Sequence, residues 1–276
     1  MSGKINFPQD GFEEFEKILG LRTNTPRDIV LLSLDLEVKK YIPKNNIQNE
    51  ITEIGISMFD TRCLTKRETI HLKTRHFIIG GQRRFYHVSS KFCFGISEHL
   101  VGQEHVNDAI LDLLHIPDDK KPGAYRDVIL VGHGLRTDLL VLRRRGVMFE
   151  NIRSIVGLLD TTYIARDLLG MNFRLEGLLK FLLCPVENFH LAGNDANYAL
   201  RALLMLAYHD LRSGYSSPEA LRTLTSLRSL GLEPLPDITE RNARLRILKP
   251  RCEYFDIDGI DEEGIFGILE QGRCPR

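Results

Sequence analysis

The sequence has no tryptophan, few aromatic residues (8%) and no net charge, since 37 basic side chains balance 37 acidic ones. Balanced charge argues against a protein that coats nucleic acid by charge alone, while a local basic patch is compatible with it. No apolar run approaches the roughly 20 residues of a membrane helix, so we expect no membrane association. Met1–Pro8 lacks the basic and apolar pattern of a secretory signal. We therefore expect an intracellular protein, cytoplasmic or nuclear.

Cysteine is also scarce. The five cysteines are an odd number, and no two of them form a Cys-x-x-Cys pair. This argues against a disulfide framework and fits a reducing compartment. Six of the nine histidines lie between His71 and His115, but their spacing relative to Cys93 matches no tight structural zinc pattern. Residues 256–263 lack the spacing of a calcium-binding loop.

The apolar pattern predicts a mixed α/β protein, with three strands followed by alternating helices and strands. The predicted strands are 29–36, 51–60, 69–79, 128–131 and 155–160. The predicted helices are 9–20, with Asp10 as N-cap, then 102–115, 135–145, 161–169, 174–183 and 194–212. We divide the chain into an N-terminal helical extension (1–27), a main domain (28–212) and a C-terminal appendage (213–276).

Two acids stand at the end of the apolar run Ile29–Leu36, namely Asp35 and Glu37. At this spacing in a strand, both side chains point to the same face of the sheet. Burying two like charges together is costly unless something neutralises them, and a hard divalent cation would do so. The alternative is that the strand ends at Asp35 and both acids meet water.

A further acid, Asp138, follows a buried strand and the turn Gly132-His133-Gly134. One turn into the next helix, it can face the strand ends, where open α/β sheets bind ligands. The alternative is an exposed acid that the helix dipole favours.

His190 and Asp195 are five residues apart, a spacing that turns them away from each other inside one helix. They converge only if His190 lies in the loop before the helix, and Gly193 and Asn194 favour such a break. A neutral histidine there can accept a proton from water. The alternative is a surface histidine. Together, the four carboxylates and this histidine have the composition that two-metal phosphodiester chemistry needs.

These residues resemble the DEDDh family of 3′–5′ exonucleases, which have a ribonuclease H-like fold, over about residues 28–212. Each of the family's three motifs has a match. The first motif, D-x-E, is matched by Asp35 and Glu37. The second motif is matched by Gly132, His133 and Asp138. The third motif, H-x-x-x-x-D, is matched by His190 and Asp195. Many members carry Asn at the position of His133. Asp160-Thr161 resembles the D-T step that closes the family's fifth strand. The strings FCFG and HLAGNDANYAL resemble a little-characterised fungal branch.

The resemblance implies a five-stranded mixed sheet of order 3-2-1-4-5, flanked by helices, with the second strand antiparallel. It implies two Mg²⁺ or Mn²⁺ ions held by Asp35, Glu37, Asp138 and Asp195, with His190 as general base. The implied activity is a metal-dependent 3′–5′ exonuclease that acts on single-stranded RNA or DNA and releases 5′-mononucleotides. RNA and DNA both remain candidates, because the choice depends on contacts to the 2′-hydroxyl.

Positive charge beside an acidic site is needed to hold a polyanion. Residues 62–91 contain eight Lys or Arg and one acid, with aromatic residues between them, which suits single-stranded nucleic acid. The alternative is a solvated strand edge protected by charge. The candidate substrate contacts are Lys73, Arg75, Arg83 and Arg84 in this segment, and Leu36 and His133 in the motifs.

Two other functions fit the same pattern, namely a catalytically silent nucleic-acid-binding or scaffold protein, and an enzyme that acts on small nucleotides. The appendage is basic over 222–251, with seven basic and three acidic residues, and acidic over 253–270, with seven acidic and no basic residues. The acidic half could cover a basic groove. This predicts that deletion of residues 216–276 raises activity or nucleic-acid affinity.

Overall fold

The computed structural model describes residues 11–39, 50–65, 70–211 and 217–237. Its centre is a six-stranded sheet of order β4-β3-β2-β1-β5-β6. The strands are β1 (Val30–Val38), β2 (Ile51–Asp60), β3 (Lys73–Ile79), β4 (Glu98–Leu100), β5 (Val128–Gly132) and β6 (Ile155–Asp160). β2 is antiparallel to both of its neighbours, and the remaining neighbouring pairs are parallel.

The predicted fold class, a mixed α/β ribonuclease H-like sheet flanked by helices, is confirmed. The order 3-2-1-4-5 describes β3, β2, β1, β5 and β6. The number of strands is corrected from five to six, because β4 adds to the outer edge of β3. Three residues are too short to produce an alternating apolar pattern, so this strand gives no signal in the sequence.

Eight α-helices are described, with short 3₁₀ turns between them. They are α1 (Gly11–Ile18), α2 (Gln82–Ser89), α3 (Val106–Leu114), α4 (Arg136–Arg144), α5 (Thr161–Leu169), α6 (Leu175–Phe181), α7 (Ala192–Leu211) and α8 (Pro218–Gly231). Six of these lie where the sequence predicts helices, within a few residues at each end. α2 and α8 were not predicted.

Alternation along the strands divides the core into two layers. On one face, Leu31 of β1 and Val131 of β5 pack against α7 and against α1, α5, α6 and α8. On the other face, Leu32 and Leu34 of β1 pack against α3 and α4. We call these the α7 face and the α4 face. By register, Asp35 and Glu37 belong to the α7 face.

Helix α8 lies against α7 and completes the α7-face core. Ser217 accepts a hydrogen bond from the Ala220 backbone N–H (3.1 Å), and Pro218 occupies the first turn, so the helix start is well capped. Leu224, Leu227 and Leu230 are buried. Asp10, Lys66, Arg67 and residues 238–276, including the acidic stretch 253–270, lie outside the described residues.

Within the described part of the chain, every helix is too short or too polar to cross a bilayer.

Candidate active site

The first pair of acids lies near the carboxyl end of β1. Asp35 and Glu37 stand opposite Gly55 and Glu53 of β2, and all four positions are on the α7 face. Burial, together with the neighbouring charges of Asp138 and Asp195, raises the pKa of Asp35 well above its usual range. None of the ion pairs among the described residues compensates Asp35. This carboxyl group therefore needs either a proton or a cation to remain in place.

The second motif is a tight turn between β5 and α4. Gly134 has φ +80°, a left-handed conformation that favours glycine. The buried Asp160 carboxylate, at the end of β6, accepts hydrogen bonds from the backbone N–H groups of Gly134 (3.0 Å) and Leu135 (2.9 Å). Asp160 also caps α5 through Thr162. This residue therefore fixes the turn that leads to Asp138.

Asp138 lies in the first turn of α4 and reaches back to β1. Its Oδ1 accepts a hydrogen bond from the Leu36 backbone N–H at 3.2 Å. Burial raises the pKa of Asp138 to about 7, although the Leu36 N–H opposes the shift. The contact joins two residues that are 102 positions apart in the chain and places the carboxyl group beside Asp35.

The third motif straddles the start of α7. His190 precedes the helix, with a left-handed φ of +60°, and its backbone N–H donates to Asp195 Oδ2 at 3.0 Å. A histidine at this φ is uncommon, so the turn holds it there at some cost in strain. The His190 ring is exposed, whereas Asp195 is buried in the first turn of the helix. Burial raises the pKa of Asp195 to about 7.

The three motifs converge on one place at this edge of the sheet. Ligand atoms of Glu37, His190 and Asp195 all lie within 4.8 Å of one another. Asp195 Oδ1 is buried and has no hydrogen-bond partner among the described residues, which suits an atom that receives a cation. The surrounding donors are carboxylate oxygens, which Mg²⁺ and Mn²⁺ prefer. The residues therefore fit a divalent metal site.

Two of the candidate substrate contacts, Leu36 and His133, are instead buried or hydrogen-bonded within the protein. The Leu36 side chain is buried in the α4-face core, and its N–H bonds to Asp138. His133 uses both ring nitrogens, Nδ1 with Thr161 Oγ1 (2.9 Å) and Nε2 with the Phe173 carbonyl oxygen (3.1 Å). Burial lowers the pKa of His133. This ring ties the second motif to the loop before α6.

The candidate basic contacts fall into two groups. Lys73 and Arg75 project from the α4 face of β3, away from the carboxylates, since Arg75 stands opposite Ile56 of that core. Arg75 is also paired through two hydrogen bonds of 2.8 Å with Glu98. Arg83 and Arg84 instead lie on α2, which begins just beyond the carboxyl end of β3, at the same edge as the acids. Of these four residues, Arg84 reaches the candidate site through its hydrogen bond to Glu53, the residue opposite Glu37, and Arg83 is its neighbour on α2.

Sequence reasoning missed three polar residues behind the site, namely Glu53, His76 and Asn194, all of them buried. Asn194 bonds the third-motif loop to the segment after α2, through the Asn188 carbonyl oxygen (2.9 Å) and the Cys93 N–H (3.0 Å). The sequence shows Glu53 as an acid within the mainly apolar strand β2. It does not show that Glu53 pairs with Glu37 in the sheet, which is what places Glu53 behind the site.

Comparison with known proteins identifies the family. Residues 30–206, which are most of the chain and contain all five candidate catalytic residues, match the family described as DNA polymerase III subunit epsilon-like, C-terminal domain, of the DEDDh class. The chain belongs to the DEDDh exonuclease family. The resemblance drawn from the three motifs is thereby confirmed, and membership in this family supports a nuclease function.

Solved structures of 3′-exonucleases are also similar to this DEDDh chain. One is described as the 3′-end-specific recognition of a histone mRNA stem-loop by a 3′-exonuclease. It has 11% identity and a TM-score of 0.41, with 71% of this chain and 70% of that chain covered. Another, a full-length 3′-exonuclease, has 12% identity and a TM-score of 0.32, with 67% and 80% covered. No curated protein matches the chain. The assignment therefore rests on the family match.

Proposed function

We propose that this protein is a metal-dependent 3′–5′ exonuclease that hydrolyses single-stranded RNA or DNA to 5′-mononucleotides. The observation that carries the proposal is the convergence of Asp35, Glu37, Asp138 and Asp195 with His190 at one edge of the sheet. These four acids come from three elements, β1, α4 and α7, and burial raises the pKa of Asp35, Asp138 and Asp195. Such a group of buried acids lowers the stability of the folded protein unless a cation binds to it.

In this proposal the four carboxylates hold two Mg²⁺ or Mn²⁺ ions. When bound, these ions supply the positive charge that the attacking and leaving oxygens of phosphodiester hydrolysis need. The His190 imidazole accepts a proton from the attacking water, whose oxygen bonds to phosphorus as the bond to the 3′-oxygen breaks. Asp195 Oδ2 holds the His190 backbone, and the Leu36 N–H holds Asp138. The ring of His190 is exposed and can meet a substrate.

Helix α2 is the proposed path for the nucleic acid next to this edge. Arg83 and Arg84 supply positive charge for phosphates, and Tyr86, 41% exposed, supplies an aromatic surface for a base. Arg75 and Lys73, on the α4 face, are left out of this path. Stacking on an aromatic side chain requires an unpaired base, so the arrangement favours single strands.

The test is digestion of 5′-labelled single-stranded RNA and DNA with Mg²⁺, Mn²⁺ or EDTA. We expect a metal-dependent ladder that shortens from the 3′ end. Asp35→Ala should reduce the rate by at least about 100-fold, as loss of a metal-site group does. Asp112→Ala, which removes an exposed acid on α3, is the matched control.

Unchanged hydrolysis by Asp35→Ala would rule out the assignment. Binding of oligonucleotides without cleavage would favour a catalytically silent nucleic-acid-binding or scaffold protein. Preference for dinucleotides over long strands would favour an enzyme that acts on small nucleotides.

A further inference from the structure

A fifth carboxylate, that of Glu53, lies directly behind the proposed site. Glu53 is 3% exposed and stands opposite Glu37 in the β1–β2 ladder. Two acids in directly opposed positions repel each other. Glu53 has a cationic partner, since its Oε1 accepts a 2.6 Å hydrogen bond from Arg84 Nη2.

The other oxygen of Glu53 is used as well. Oε2 accepts from His76 Nε2 and from the Ala192 backbone N–H, both at 3.3 Å. His76 is held from its other side by Ser97 Oγ, which lies 2.9 Å from Nδ1. Both oxygens of Glu53 are thus hydrogen-bonded to protein groups, so this carboxylate is suited to hold those groups rather than a metal.

Ala192 is the first residue of α7, and its N–H is among those that a helix start leaves without an intrahelical acceptor. Glu53 therefore caps α7 from the neighbouring strand, with a negative charge at the positive end of the helix dipole. His190 lies two residues before this N–H, and Asp195 three residues after it. The cap thus fixes the turn that carries both.

The backbones of β2 and α7 are in direct contact at this cap. A Cβ atom on Gly55 would lie 1.8 Å from the Ala192 carbonyl oxygen, and one on Gly193 would lie 2.6 Å from His76 Cβ. Packing this close leaves the first turn of α7 little freedom to shift independently of Glu53. A change at Glu53 is therefore passed to the turn.

We propose that Glu53 is a positioning residue, which holds the His190–Asp195 turn in its reactive geometry and joins it to Arg84 on the nucleic-acid path of α2. The inference rests on the proposed exonuclease function for its kinetic readout. Displacement of a catalytic group by about 1 Å can cost on the order of 100-fold in rate. Loss of the cap should therefore slow the chemical step more than it weakens substrate binding.

The experiment compares kcat and KM of the full-length protein with those of Glu53→Gln and Glu53→Asp on one single-stranded oligonucleotide. Glu53→Gln removes the charge and keeps the length, whereas Glu53→Asp keeps the charge and shortens the reach. We expect both to lower kcat by about 10- to 100-fold and to leave KM within about twofold. If Glu53 contributed only its charge, Glu53→Asp would behave as wild type, and positioning would be excluded.

Glu16→Gln is the matched control, because Glu16 is also buried (1% exposed) and paired with an arginine, Arg22. Glu16 lies beside Asp210, near the end of α7. Asp210 is 15 residues from Asp195 along this helix, which corresponds to about 22 Å, so Glu16 is far from the proposed site. We expect Glu16→Gln to lower the melting temperature as much as Glu53→Gln does without changing kcat. Equal loss of kcat in both variants would reduce Glu53 to a structural residue and overturn the proposal.

Arg84→Gln tests the link to α2, and it is the variant to use if those at Glu53 do not fold, because Arg84 is exposed on α2. We expect Arg84→Gln to lower kcat and the double variant Glu53→Gln/Arg84→Gln to lose no more kcat than Glu53→Gln alone. Additive losses of kcat would show that the two residues act separately, against the proposal.

An inactive wild-type protein would overturn the proposed function but not this inference, which NMR then decides. In ¹⁵N spectra of the protein, Glu53→Gln should shift the backbone amide of Ala192 and both the amide and the ring of His190, whereas Glu16→Gln should not. Unchanged His190 signals in Glu53→Gln would overturn the positioning role whether or not the protein is active.

Discussion

Single residues at the acidic edge differ in how their charges are balanced. Glu53 is paired with Arg84, and Asp160 is surrounded by backbone N–H donors. Asp138 accepts a backbone hydrogen bond from Leu36 and Asp195 accepts one from His190, yet burial raises the pKa of both acids to about 7. Glu53 and Asp160 are thus compensated by protein groups, whereas the raised pKa values of Asp138 and Asp195 show that their negative charges are not fully compensated, and a cation can compensate them.

The raised pKa values of Asp138 and Asp195 predict how the stability of the metal-free protein depends on pH. Asp138 and Asp195 ionise near pH 7 when folded and near their ordinary value of 3.8 when unfolded. Between these values the folded state binds more protons than the unfolded chain, so stability falls as pH rises. We expect the melting temperature in EDTA to decrease from about pH 5 to about pH 7.

Asp138→Asn, which cannot ionise, should flatten this decrease, while Asp112→Asn should leave it unchanged. Circular dichroism melts in EDTA at half-unit pH steps would measure it. A wild-type melting temperature that rises over this interval would contradict the raised pKa values.

Metal ions should restore the stability that the protein loses when the site carboxyl groups ionise, and more of it at pH values where more of these groups are ionised. Because ligand carboxylates must be deprotonated, binding of Mn²⁺ competes with protons. We expect saturating Mn²⁺ to raise the melting temperature more at pH 8 than at pH 5.5, and Asp195→Asn to abolish the difference. Differential scanning fluorimetry with and without Mn²⁺ would show this. An equal rise at both pH values in the wild type would argue against carboxylate ligands.

At the scale of elements, the close contact of β2 with α7 sets the position of the third motif. A Cβ on Gly55 would meet backbone atoms of Ala192, which cannot rotate away, whereas a Cβ on Gly157 of β6 would meet Ile129 at an ordinary 3.4 Å. We expect Gly55→Ala to destabilise the protein by about 1–3 kcal/mol or more, as overpacking does. Gly157→Ala, in the same sheet, should be neutral within about 0.5 kcal/mol.

Urea unfolding of the two alanine variants checks this contrast. Similar midpoints for Gly55→Ala and Gly157→Ala would show that α7 is not held as tightly against β2 as described.

The elements that sequence patterns predict are those with long apolar stretches. β1 and β5 are buried on both faces, and their continuous apolar runs identify them. α2 (QRRFYHVS) buries little besides Phe85 and has no capping side chain at Gly81, so its sequence resembles a charged loop. α8 had a visible signal, since Ser217-Pro218 and apolar residues at 220, 224, 227 and 230 follow helical spacing. Its basic residues led instead to an interpretation as an appendage.

For the site, the sequence motifs predicted the candidate catalytic residues and the family, but not the residues that pack around them. Asp35, Glu37, Asp138, His190 and Asp195 stand in motifs whose local spacing carries information, and the structure brings them together. The roles of Glu53 and Asn194 depend on strand register and on contacts more than 100 residues apart. Periodicity along one segment contains no information on such contacts.

At the scale of the whole molecule, α8 changes how the tail should be tested. A deletion of residues 216–276 removes this helix together with the acidic stretch 253–270. Burial of Leu224, Leu227 and Leu230 contributes about 1.5–3 kcal/mol each. The sum is comparable with the whole stability of a typical domain, about 5–15 kcal/mol. The longer deletion therefore confounds loss of the tail with loss of the fold.

We expect deletion of 216–276 to lower the melting temperature sharply and to cause aggregation, because the apolar side of α7 becomes exposed. Deletion of 238–276 should keep the melting temperature within a few degrees. Activity of the shorter deletion then tests whether the acidic stretch covers the site. Size-exclusion chromatography and thermal melts of both proteins distinguish these outcomes, and an intact fold in the longer deletion would contradict the role of α8.

The distances along the chain that the site bridges also bear on when the protein can act. The Leu36–Asp138 bond closes a loop of 102 residues, and the Glu53–Ala192 bond closes one of 139. A nascent chain on the ribosome has strands β1 to β6 before it has His190 or Asp195, and α8, the last of the described helices in the α7-face core, follows them. Contacts of such separation form late in folding. The proposed exonuclease site therefore cannot assemble before His190, Asp195 and α8 have been synthesised.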